Sequence, residues 1–225
     1  MSFGTKITKI GLQTTHLVRN PTDAVDNPGD NHEFIRRDPY GTDTQGSFTD
    51  HKEIRCCLWV EDGASGWASV QATPRIRSAR IQLHVTEASS DTNNTVDFHK
   101  SNQTSDNIDV AHMTWDLQAF RQDWLGASAG GAVNDDTKNS TSIPGGLGRW
   151  SGNAREATKS MTSTDYPLWI GKLRLEAEPL SADGDDMIRF YDENVVTAPS
   201  RPYLVLKIGN GVVPRRIHAH RRRLT

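Results

Sequence analysis

The sequence predicts an all-β fold, an antiparallel β-sandwich with long loops and extended terminal arms. Three observations lead there. At least six short runs alternate apolar and polar residues with a period of two. Turn-forming Gly, Pro, Asn and Asp residues separate them. Helical periodicity is scarce, and nothing alternates strand with helix as a parallel sheet requires. A length of 225 residues suits one large all-β domain.

The runs follow in order. In Lys52–Glu61, Ile54, Cys56, Leu58 and Val60 alternate with Arg55, Cys57 and Trp59, as on the two faces of a strand. Arg75–Thr86 sets Ile81, Leu83 and Val85 against Arg80, Gln82 and His84, and Thr95–Lys100 does the same with Val96 and Phe98. Leu168–Glu178, Met187–Tyr191 and Tyr203–Ile208 complete the set, the last entered through Pro202, where a strand tolerates proline. The most helix-like stretch is Leu117–Leu125, at most two turns. Two segments read as loops: residues 20–50, with successive Asn-Pro and Asp-Pro turns, and residues 126–165, rich in Gly, Ser, Thr and Asn. The second is long for a connection in a compact domain, so it is expected to be an excursion or arm anchored by Ile143, Leu147 and Trp150. The expected organisation is an N-terminal strand and loop-rich arm over 1–49, a sandwich over 50–208 and a basic tail over 209–225.

A net charge of −2 conceals an asymmetry. The tail carries Arg215, Arg216, Arg221, Arg222 and Arg223; removing these from 26 basic residues leaves 21 against 28 acidic ones, a body of −7. No run approaches the roughly 18 consecutive apolar residues of a membrane span. Met1–Lys6 lacks the apolar core of a secretory leader, so synthesis in a host cytoplasm is expected. The two cysteines, Cys56 and Cys57, are adjacent and point to opposite faces of a strand, which predicts free buried thiols.

Four pieces of sequence, in order, resemble the DNRLRE-type domain, a carbohydrate-binding-like module related to disaggregatase domains. They are Ile54–Val60; Ile76–Val85, close to an I-x-S-A-x-L-x-L strand; Met113-Thr114-Trp115 with Asp123-Trp124-Leu125; and Phe190–Glu193 followed by Arg201–Leu206. The resemblance spans roughly residues 50–208 and implies a jelly roll. The insertion after Trp124 and the basic tail depart from the family pattern.

Candidate chemistry is sparse. Asp135-Asp136, Asp183 with Asp185-Asp186, and Asp192-Glu193 offer paired carboxylates, which a glycosidase needs across a cleft. Their turn-like surroundings predict solvated loops instead, and no catalytic residues or cofactor are expected. A structural Ca²⁺ would draw on the same loop oxygens. His218 and His220 have the spacing of two strand ligands but no further partners, so no metal site is expected. Trp59 and Trp67 are the candidates for stacking on a sugar ring. The five tail arginines are candidates for an anionic surface, an acidic protein neighbour in preference to nucleic acid, since no aromatic residue is interleaved for base stacking.

Together these features predict a non-enzymatic structural protein of a phage virion: a head decoration or minor capsid protein, or a tail- or fibre-associated adaptor. Its partners would be other virion proteins and copies of itself, with no membrane. The alternative is a carbohydrate-binding module that contacts surface glycans through Trp59 and Trp67.

Overall fold

Alternation of apolar and polar side chains forces each strand to bury one face, and two layers meet on those faces. The computed structural model describes residues 5–19, 32–38, 52–60, 75–88, 95–101, 113, 117–119, 122–123, 131, 133–142, 146–161, 167–173 and 186–209. In chain order the strands are β1 (Thr5–Gly11), β2 (Gln13–Arg19), β3 (His32–Asp38), β4 (Lys52–Trp59), β5 (Ile76–Ala88) and β6 (Thr95–Ser101). There follow β7 (Leu117–Ala119), β8 (Gln122–Asp123), β9 (Val133–Ser142), β10 (Gly148–Asn153), β11 (Leu168–Leu173), β12 (Asp186–Tyr191) and β13 (Tyr203–Gly209). Among the described residues one α-helix, α1 (Arg155–Ser160), lies between β10 and β11.

All pairings among the described strands are antiparallel. One layer runs β1-β13-β5-β10 and the other β4-β11-β6-β9, with β2 on the free side of β4. Set aside β2, β3, β7, β8 and β12, and eight strands remain. One layer then holds the first, eighth, third and sixth of them, the other the second, seventh, fourth and fifth. That order defines a jelly roll, two interlocked Greek keys. Hydrogen bonding continues from layer to layer through β12 and β3, because β12 pairs the last residues of β5 and β3 pairs the first of β4.

The core between the layers includes Ile81, Leu83 and Val85 of β5, Leu58 of β4, Phe98 of β6, Trp169 of β11 and Leu204 and Leu206 of β13. Phe98 meets Trp150 with ring centroids 6.0 Å apart. Gly152 on β10 is needed beside them: a Cβ there would run into the Phe98 ring and lie 2.8 Å from Trp150 Cη2. Helix α1 closes this core at one corner. Asn153 Oδ1 accepts from Arg155 N and Asn139 Oδ1 from Glu156 N, satisfying helix-start amides. Ala157 and Thr158 face inward, and Trp169 Nε1 donates to Thr158 Oγ1 (3.1 Å), which in turn donates to Ala154 O (2.6 Å).

A second cluster lies on the far side of the β4-β11-β6 layer: Leu17, Cys57, Trp59, Leu168 and Ile170, with Met113 and Val133 against it. Gly131 crosses this face with φ +95°, where a Cβ would sit 2.6 Å from Ile170 Cδ1, so both its backbone and its space demand glycine. Ser101 Oγ donates to Gly131 O (2.8 Å).

Three sequence expectations change. The interval 126–165 is not strandless: it holds β9, β10 and α1, and both strands belong to the jelly roll. Within it Trp150 packs on the core, whereas Leu147 is 74% exposed and anchors nothing here; Ile143 lies outside the described residues. The N-terminal region 1–49 is not separate from the sandwich, since β1, β2 and β3 pair with β13, β4 and β12. The helix-like stretch at 117–125 contains the β7-β8 hairpin, as nine residues are too few to hold a helix by periodicity alone.

Candidate binding face

The two outer faces of the sandwich differ in chemistry. On the β4-β11-β6 layer the outward positions of β6 are Asp97, His99 and Ser101, all buried along with Cys57, Trp59 and Ile170. That face is covered.

The outer face of the β1-β13-β5-β10 layer is open and basic. Alternation turns Ala79, Ile81, Leu83, Leu204 and Leu206 inward. Lys9, Lys207, Arg80 and Arg149 are exposed on the other side, one from each strand. Register lines them up: Lys9 pairs with Val205 and Val205 with Arg80, while Arg149 pairs with His84, four residues further along β5. No residue of β1, β10 or β13 is acidic, and none of β5 precedes Glu87. Glu87 itself lies 3.8 Å from Arg189 of β12.

The cations are held by neutral groups. Lys9 Nζ sits 3.5 Å from the centroid of the Tyr203 ring, a cation–π contact that keeps the ammonium charge uncompensated. Arg80 donates to Ser151 O (3.2 Å) and Arg149 to Pro199 O (3.4 Å). Among the described residues none of Lys9, Arg80, Arg149 and Lys207 forms an ion pair, in contrast to Arg155 and Lys159, which both meet Glu156. Lys159 is the main cause that holds the Glu156 carboxyl below its ordinary range. The connection from β12 to β13 borders the face and is fastened to it. Tyr203 Oη donates to Ala198 O, and Arg201 Nε to Val195 O.

The residues singled out from the sequence fall elsewhere. Trp59 does face away from Cys56 and Leu58, but it is only 6% exposed within the second cluster, so it presents no platform to a sugar. Trp67, Arg215, Arg216, Arg221, Arg222, Arg223, His218 and His220 lie outside the described residues. Asp192-Glu193 is not a solvated turn. Asp192 is buried and accepts from Asn194 N, and Glu193 Oε2 accepts from Thr14 N (3.0 Å) and Thr14 Oγ1 (2.6 Å). Burial pushes the Glu193 carboxyl above its ordinary range, with the Thr14 hydroxyl opposing. Asp135-Asp136 belongs to β9 rather than to a loop. Cys56 and Cys57 form no disulfide and are buried in different clusters, as expected. Among the described residues no group of three or more His, Cys, Asp or Glu converges as a metal site would require.

Sequence reading had placed Arg80, Gln82 and His84 off the core face but not with Lys9, Lys207 and Arg149. Only strand order unites them. The fold and this face define a β-sandwich of jelly-roll order with one covered and one cationic surface. No protein-family model matches the chain, and no curated protein matches it significantly in sequence.

Proposed function

We propose that the chain is a non-enzymatic structural protein of a phage virion, a head decoration or minor capsid protein or a tail- or fibre-associated adaptor. The observation that carries this reading is the eight-strand jelly-roll order, an architecture that recurs in viral capsid proteins as well as lectins. The positions of the outer strands support it. Thr5 pairs with Gly209, so β13 ends beside β1, the outermost described strand of its layer. The arginine-rich stretch follows β13 in the sequence; a basic stretch suits contact with an acidic neighbour, and the rest of the chain is acidic.

The test is incorporation. A tagged copy produced during lytic growth should co-sediment with particles, and deleting residues 215–225 should abolish that. Exclusion of the full chain from particles overturns the virion reading. Binding of neutral glycans by the free protein, abolished by Trp67→Ala, would favour the carbohydrate-binding alternative instead.

A further inference from the structure

We infer that the outer face of the β1-β13-β5-β10 layer binds a linear acidic polysaccharide. This goes beyond the virion reading and does not depend on it.

The first argument is charge. In a chain with 26 basic and 28 acidic residues, this face presents Lys9, Arg77, Arg80, Arg149 and Lys207, and its four strands hold no acid before Glu87. A folded surface would ordinarily interleave the two signs. Cations left without counter-charges raise the local potential and attract a polyanion.

Spacing is the second argument. Neighbouring strands lie about 4.8 Å apart, so Lys9 and Arg80, with Val205 between them, stand about 10 Å apart across the sheet. That is about the length of two sugar residues, so the two cations can meet carboxylates on alternate residues of a uronic-acid polymer.

Third, neutral hydrogen-bonding side chains accompany the charges. Ser78, Arg80, Gln82 and His84 occupy successive outward positions of β5, so hydroxyl, amide and imidazole groups flank the guanidinium. Sugar hydroxyls both donate and accept and so use every such group, whereas the phosphate oxygens of a duplex only accept. Sequence-specific duplex readout also needs a helix or ribbon that enters a groove, and this face is the pleated surface of a sheet. An acidic polysaccharide therefore fits better than DNA.

The experiment uses the full chain and two sets of variants. One neutralises the face (R80Q, R149Q and K207Q together), the other the five tail arginines. The probes are polygalacturonate, neutral dextran and a duplex DNA oligomer, titrated calorimetrically at several salt concentrations. Each exposed ionic contact is worth roughly a factor of two to three, so the face variant should bind polygalacturonate about tenfold more weakly, with a shallower salt dependence. The tail variant should keep most of the affinity, and dextran should not bind. Unchanged affinity of the face variant, loss confined to the tail variant, or tighter binding of DNA than of polygalacturonate each overturns the inference. If the triple variant does not fold, R80K/R149K against R80Q/R149Q decides: binding kept by the first and lost by the second supports it, equal binding refutes it.

Discussion

The hydrogen-bond chain from Trp169 through Thr158 to Ala154 is the most exacting part of the core to perturb. Thr158→Val replaces the hydroxyl with a methyl group of nearly the same shape, so packing is preserved. The Trp169 indole N–H, fully buried, then loses Thr158 Oγ1 as its acceptor. An orphaned buried donor costs about 1–3 kcal/mol. Loss of the hydroxyl's own bond to Ala154 O adds little, because the Thr158 amide still donates to that carbonyl at 2.9 Å. The net expectation is about 2 kcal/mol, or a fall in Tm of roughly 4–8 °C for a chain of this size. Trp169→Phe removes the N–H together with part of the ring. In that background Thr158→Val should lose most of its effect, giving a coupling of about 1–2 kcal/mol in a double-mutant cycle. Urea denaturation followed by far-ultraviolet circular dichroism measures all four proteins without relying on tryptophan emission. A Thr158→Val protein as stable as the wild type, or an effect of equal size in both backgrounds, would refute the assignment of α1 as a buried, hydrogen-bonded plug.

Other consequences are equally direct. Gly152→Ala forces a methyl group into the Phe98 and Trp150 rings and should destabilise by about 1–3 kcal/mol, partly recovered by Phe98→Leu; denaturant midpoints report both. Glu193 has a raised carboxyl pKa in the folded state, so its stabilising contribution is complete below the unfolded carboxylate range and is lost as pH rises through the folded value. Glu193→Gln keeps an acceptor for Thr14 but cannot ionise; its Tm relative to wild type should rise between about pH 4 and about pH 7, and a constant difference would contradict that. Glu193→Ala strands the Thr14 amide and hydroxyl and should destabilise at every pH by about 1–3 kcal/mol, read from the same melts.

Much of the sandwich was legible because burial on one face writes a period of two into the chain. Ile81, Leu83 and Val85 are buried and Arg80 is exposed, as the alternation in β5 required. What escaped notice had no such mark. β9 is nearly all polar because it is an edge strand, paired among the described strands only with β6, and its register comes from that partner. Helix α1 has six residues, too short for an apolar stripe, and depends on Asn139 and Asn153 to begin. On β6 the alternation misled: Asp97, His99 and Ser101 read as a solvent face yet are buried, because a further layer of chain at Gly131 crosses them. Trp59 on the same face is likewise buried, in the cluster with Leu17 and Leu168. The cationic face was divided among four strands scattered from Lys9 to Lys207, so no local window contained it.

The pairing of β1 with β13 also sets a timetable. These neighbours are separated by about two hundred residues of chain. At roughly 5–20 residues per second of synthesis, β1 waits about 10–40 s before its partner exists. During that interval its backbone groups are open to any other nascent strand. Lys6 and Lys9 put charge on the waiting edge, a device that discourages pairing with the wrong chain. Lys9, which later helps form the cationic face, thus first serves as a guard during synthesis.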